Sequence, residues 1–248
     1  MKIEVITLFP ELVEQVVRHG MPRIASEQGQ LRLTTRNPRD YSGNKWRRVD
    51  DRPYGGGPGM VMEAEPLRQA AVAAQQEVGG GKRVYLSPQG ERFDQRWAER
   101  LSREPGLVLL CGRYEGIDER FIAADVDLEL SLGDFVVSGG ELAAMVVIDA
   151  IARLLPGVLG SEASAANDSF SAGLLDHPHF TRPEAWDGAV VPEVLLGGDH
   201  AKVARWRLKQ ALGRTWLKRP DLLDELELDE DKRTLLREFI AERHIETR

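Results

Sequence analysis

Short apolar runs bounded by glycine, proline or charge recur through the first two thirds of the chain. Lys2 to Phe9 (KIEVITLF) is rich in β-branched and aromatic residues and stops at Pro10, which predicts a strand. Glu11 to Arg18 follows as a short helix that ends near Gly20. Arg83 to Leu86 (RVYL) and Leu107 to Cys111 (LVLLC) have the length and near-continuous apolarity of buried parallel strands. Between them, Asp94 to Ser102 predicts a helix capped by Asp94. Asp127 to Leu130 predicts another strand. Ser138-Gly-Gly-Glu141 has capping-box spacing and opens an apolar stretch that runs to Leu154. That helix is apolar nearly all round, so it belongs in a core or an interface.

Pro156 and Gly157 end it, and the pattern then changes. Residues 160–169 (GSEASAANDS) are small and polar, as in a mobile linker. Beyond them Asp199 can cap a helix from His200 to about Leu212, and a last helix runs from about Glu230 to Arg243. Strands alternating with helices, followed by helices alone, predict two domains. The expected division is an α/β domain over residues 1–160, a linker over 161–168 and a small all-helical domain over 169–248.

Composition narrows the class. With 42% hydrophobic and 29% charged residues, the chain is neither disordered nor membrane-embedded in character. No run approaches the ~20 apolar residues of a membrane span, and the start MKIEVITLFPE lacks the pattern of a signal peptide. A single cysteine, Cys111, precludes an internal disulfide and fits a cytoplasmic location. One cysteine with five scattered histidines also argues against structural zinc, and Pro178 between His177 and His179 is a poor metal signature. The net charge of −7 speaks against nucleic acid until its distribution is read. Lys202 to Arg219 carries seven cations and no acid, whereas Asp221 to Asp231 carries seven acids. Arg32, Arg36, Arg39, Lys45, Arg47 and Arg48 form a second basic run around Asp40 alone.

Three glycine-bearing loops fall at strand ends: YLSPQG (85–90), CGRYEG (111–116) and SLGDFVVSGG (131–140). Ligands of open α/β sheets collect at that edge. One such loop is a turn; three together read equally as a ligand site. No GxGxxG or P-loop pattern is present. The segment DDRPYGGGPGM (50–60) is either a surface loop or a backbone surface pressed against a ligand or partner. Asp149 and Arg153, four apart, suit an intrahelical ion pair, and Arg153 at the helix end could instead reach into a site. Asp168 can be a helix cap or a functional carboxylate, and Asp118 a cap. Cys111 reads as a core residue.

Taken together, ITLFPE, PYGGGPGMVM, YLSPQG, LLCGRYEGIDER, SLGDFVVSGGELAAMVVIDAIARLLPGVLG, DSF, LLDHPHFTRP, VPEVLLGGDH and WRLKQALGRTWLKRPDLL resemble, in this order, the TrmD-type tRNA (guanine-N1)-methyltransferases of the SPOUT superfamily. The similarity covers essentially the whole chain, apart from its last residues. Asn167 departs from the acid often found there, and His177 stands where cysteine can occur.

The resemblance implies a SPOUT-type parallel sheet with a deep trefoil knot, a homodimer whose sites span the interface, and a C-terminal tRNA-binding domain. It implies transfer of a methyl group from S-adenosylmethionine to N1 of the guanosine beside the anticodon, at tRNA position 37. The implied cofactor residues are Tyr85, Leu86, Ser87, Pro88, Gln89, Gly112, Tyr114, Glu115, Gly116, Ser131, Leu132, Gly133, Gly139 and Gly140. Asp168 corresponds to the general base and Arg153 to the partner of the guanine oxygen. Magnesium dependence is implied, with Glu115 near the reacting centre, but spacing identifies no ligands. Lys202, Arg205, Lys209 and Arg214 are the expected tRNA contacts, with neither DNA nor membrane as a partner. A ribose 2′-O-methyltransferase of the same superfamily and a non-catalytic RNA-binding scaffold are the competing readings.

Overall fold

The computed structural model describes residues 1–159 and 168–246. The chain divides into two compact units, Met1–Glu162 and Ala163–Arg248. The predicted linker, apart from Asp168, lies outside the described residues.

The first unit is built on strands β1 (Lys2–Ile6), β2 (Arg32–Arg36), β5 (Lys82–Arg92), β6 (Gly106–Cys111) and β7 (Leu128–Ser131). They form a wholly parallel sheet in the order β2-β1-β6-β5-β7. Alternation along the strands sends side chains to two cores. On β6, Leu107, Leu109 and Cys111 enter one, and Val108 and Leu110 the other. The first core is closed by α1 (Pro10–Val13), α2 (Gly20–Glu27), α4 (Gln95–Ser102) and α6 (Glu141–Ala152). The second is closed by α3 (Ala64–Val78) and α5 (Glu119–Asp125). Helices on both faces explain why the central strands are apolar on both sides. A separate antiparallel pair joins β3 (Asp50–Asp51) to β4 (Val61–Met62).

Several elements follow the sequence closely. Asp94 caps α4, its carboxylate accepting from the Trp97 N–H at 2.9 Å. Asp118 caps α5 through the Arg120 N–H at 2.9 Å. Others differ. The chain does not stop at Gly20, which takes a left-handed φ of +60° and starts α2. Glu14–Arg18 is a 3-10 turn rather than α-helix. YLSPQG is not a loop after a strand: β5 continues through it, with a register shift against β7 between Leu86 and Glu91. Pro88 cannot donate to a ladder, so the irregularity sits where the proline is.

The second unit contains α7 (His200–Lys218), α8 (Pro220–Asp224) and α9 (Glu230–Glu246) around Leu174, Leu212 and Leu235. Asp199 caps α7 through the Lys202 N–H at 3.1 Å. The expectation of an all-helical unit is corrected by an antiparallel hairpin of β8 (Ala185–Trp186) and β9 (Ala189–Val190). Its turn residues Asp187 and Gly188 have φ of 50° and 79°. An Asp-Gly pair flanked by apolar residues is a strong hairpin signal, and it was present in AWDGAV. Among the described residues, no helix is long and apolar enough to cross a membrane.

Leu109 is fully buried at the centre of the sheet. Leu109→Ala should destabilise the first unit by about 2–5 kcal/mol. Chemical denaturation would measure this, and a change near zero would contradict the close-packed core described for β6.

Candidate active site

The parallel strands all run the same way, so the loops following β6 and β7 and the irregular stretch of β5 meet at one edge. They enclose a cavity of about 250 Å³. Its walls include Tyr85, Leu86, Ser87 and Pro88 from β5, Gly112, Tyr114, Glu115 and Gly116 after β6, and Ser131, Leu132, Gly133, Gly139 and Gly140 after β7. Thus the three glycine segments contribute to one cavity. Gln89 is exposed and outside this wall; its N–H donates to Ser87 Oγ at 3.2 Å. Arg113, Phe135, Val136, Val137, Ser138 and Ala143 also line the cavity, although the sequence did not single them out.

Backbone contact, more than side-chain chemistry, shapes the cavity. A Cβ at Gly140 would lie 2.7 Å from Cys111 Cα, so a larger residue there would push the end of β6 from the start of α6. Tyr114 adopts a left-handed φ of +60°, an uncommon conformation for a bulky residue and one that clusters at functional sites.

The capping-box expectation for Ser138 and Glu141 is overturned. α6 begins at Glu141 behind Gly140 and has no side-chain cap. Glu141 is instead fully buried: Thr7 Oγ1 donates to its Oε1 at 2.8 Å, and Arg113 Nη2 lies 2.9 Å from its Oε2. That second contact is an ion pair out of line for a hydrogen bond, since Oε2 and Arg113 Nε have no hydrogen-bond partner. Arg113 also donates to the Ser138 carbonyl at 3.0 Å and stacks 4.5 Å above the Phe9 ring centroid. A long-range charge facing inward has displaced the local cap.

The end of the segment 50–60, at Gly59 and Met60, packs on the second cavity loop. A Cβ at Gly59 would collide with the Glu115 side chain. The Glu115 N–H donates to Met60 O at 3.0 Å, and Met62 N–H to Gly116 O at 2.9 Å. Burial and then Asp50 push the Tyr114 phenol above its ordinary range, against the effect of Arg39. Burial, reinforced by Glu141, pushes the Cys111 thiol well up, so this cysteine is not a ready nucleophile.

Arg153 is exposed and terminates α6, its N–H bonded to Asp149 O at 3.3 Å. Asp168 belongs to the second unit. There it lines a cavity of about 330 Å³ with Leu174, Asp176, His177, Arg207 and Leu208. The ligand atoms of Asp176, His177 and His179 lie within 4.8 Å of one another, which the sequence gave little reason to expect. His179 Nε2 is 2.8 Å from Asp176 Oδ2. Burial opposes ionisation of Asp176, yet the His179 and His177 contacts hold its carboxyl below the ordinary range.

The basic patches are less free than their sequence suggests. Lys202 pairs with Asp199 at 3.3 Å, Arg205 with Glu238 at 2.6 Å and Lys209 with Glu242 at 2.7 Å. Arg214 is half-buried. In the first unit Arg36 pairs with buried Glu4 at 2.9 Å, and Arg47 pairs with Asp40.

Known proteins share these features of sequence. Residues 1–225 match the family model described as tRNA (Guanine-1)-methyltransferase TrmD. A tRNA (guanine-N(1)-)-methyltransferase of Halorhodospira halophila is 60% identical over 248 residues, covering 100% of this chain and 94% of the relative. Proteins of the same name from Nitrosospira multiformis and Vibrio vulnificus are 57% and 54% identical, covering 95% and 98% of both chains respectively. With a family match over nearly its whole length and relatives this similar, the chain belongs to the TrmD family of tRNA (guanine-1)-methyltransferases.

Proposed function

We propose that this protein transfers a methyl group from S-adenosylmethionine to N1 of the guanosine immediately 3′ of the tRNA anticodon. The observation that carries the reading is the convergence of the irregular stretch of β5 and the loops after β6 and β7 on one cavity in a chain of this family. The cavity suits the donor in kind. Leu86, Leu132 and Ala143 offer apolar wall, and the glycines leave backbone groups open to an adenosine. The bound donor supplies a sulfonium-activated methyl group. The rest of the chemistry belongs to the chain. Asp168 takes the proton from guanine N1, the nitrogen pair forms the new bond to carbon, and the carbon–sulfur bond breaks. Arg153 steadies the charge that develops on the guanine oxygen.

Magnesium fits less well. Glu115 is the single carboxylate among the residues lining the cavity, whereas a magnesium site demands several oxygen ligands. The SPOUT knot and the cytoplasmic location are part of the same reading, and the single cysteine agrees with the latter. A homodimer is supported by α6, where Leu142 and Val146, one turn apart, are both about half exposed beside a buried face. The second unit, with its basic helix α7, holds the tRNA.

Incubating the full chain with labelled S-adenosylmethionine and unmodified tRNA should yield N1-methylguanosine on nucleoside analysis. A ribose methyl, or no product, would overturn the reading. Asp168→Asn should lower kcat by roughly 10²–10⁴-fold while leaving donor affinity nearly unchanged. Gly140→Val should do the opposite first, abolishing measurable donor binding in calorimetry because the cavity wall must move. If each site draws on both copies, mixing these two inactive variants should restore about a quarter of wild-type activity, the expectation for random exchange in a twofold dimer. Verified exchange without recovery would put both groups on one chain.

A further inference from the structure

We infer that an unpaired base of the RNA substrate stacks in a groove on the second unit built around Phe180 and Trp206, next to Arg182 and Arg207. The tRNA is then held there rather than on the Lys202–Arg205–Lys209 face. This rests on the proposed reading that the substrate is tRNA.

The groove measures about 1020 Å³, at the upper end for a ligand site. Phe180 is 47% exposed, and its ring centroid lies 6.2 Å from that of Trp206 at a tilt of 53°. His177 meets the same indole at 6.3 Å and 58°. These tilted contacts fix the indole's orientation before any ligand arrives, while the rings remain too inclined to satisfy each other by stacking. Aromatic faces beside guanidinium groups are how proteins take up unstacked bases of single-stranded RNA.

Charge points the same way. Lys202, Arg205 and Lys209 lie on one face of α7, and each has an acidic partner. Val203 and Arg207 lie roughly 100–160° around the helix from them, with Trp206 between the two faces. Among the described residues, neither Arg207 nor Arg182 has an ion-pair partner, and both are exposed. Lysines and arginines already compensated by carboxylates add little to phosphate attraction, whereas uncompensated ones release counterions on binding. Position supports the assignment as well: Arg207 and His177 line both this groove and the cavity that contains Asp168. A strand lying in the groove therefore runs up to the proposed general base.

The test uses the full chain and unmodified tRNA, with binding measured across a series of salt concentrations. Trp206→Ala should weaken binding by about 10-fold or more at every salt, with the salt slope unchanged. Trp206→Phe should recover most of the loss, which separates stacking from misfolding. Arg207→Gln should lower the salt slope by about one. The charge-neutral set Arg205→Gln with Glu238→Gln and Lys209→Gln with Glu242→Gln should leave affinity and slope near wild type. S-adenosylmethionine affinity should be unchanged in every variant, because its proposed cavity lies in the first unit. Loss of binding in the charge-neutral set, with normal binding by the Trp206 and Arg207 variants, would overturn the groove. So would dissociation of an oligomer by Trp206→Ala with tRNA affinity intact, which would make the groove a contact between copies. Failure of the wild-type chain to make N1-methylguanosine would instead defeat the functional reading, so the two failures are distinguishable.

Discussion

Glu141 is a carboxylate with no exposed surface, and a buried charge must be compensated. Its partners come from three separate places: Thr7 after β1, Arg113 after β6, and, through Arg113, the Ser138 carbonyl after β7. The ion pair is thus also a tie between loops. Exchange of a buried pair for apolar residues can be neutral for stability, but removing one partner alone costs about 3–5 kcal/mol. That asymmetry holds the loops in register. Phe9 beneath the guanidinium extends the tie to α1. The shape of the proposed methyl-donor cavity depends on this arrangement, because its second and third walls are the loops so joined.

The parallel sheet explains why such a tie is needed. Parallel strands deliver every following loop to the same edge, where the loops have no ladder to order them. The first unit orders them by close backbone approach, as at Gly140 against Cys111 and Gly59 against Glu115. A cavity walled largely by backbone and apolar groups suits a reaction whose main demand is alignment of donor and acceptor. The residues proposed for proton removal and charge stabilisation lie outside that wall, Arg153 at the end of α6 and Asp168 in the second unit.

In the second unit the same logic of compensation acts at the surface. The acids of α9 lie opposite the cations on one face of α7, so a strongly basic sequence yields a nearly neutral face. Exposed pairs of this kind contribute little to stability. Their larger effect is on which cations remain available, and Arg182 and Arg207, which line the groove with Trp206, are among these.

Much of this protein was determined locally and could be read from the chain. Apolar runs such as Leu107–Cys111 specified buried strands because a strand covered on both faces has no polar alternation to keep. Asp94, Asp118 and Asp199 marked helix starts because a cap is made within three residues. The motifs, taken in order, identified the family, and three of the glycine segments among them supply walls of one cavity. AWDGAV carries its hairpin in two turn residues, Asp187 and Gly188, and is equally local. Tertiary structure decided what depends on distant partners. Ser138 and Glu141 have capping spacing, yet Arg113 and Thr7, 28 and 134 positions from Glu141, claim its carboxylate. Lys202, Arg205 and Lys209 form a basic patch in one dimension, but two of their partners lie 33 positions away on α9. Charge and hydrogen bonding act through space, so the pairing of residues far apart along the chain emerges only when the fold brings them together.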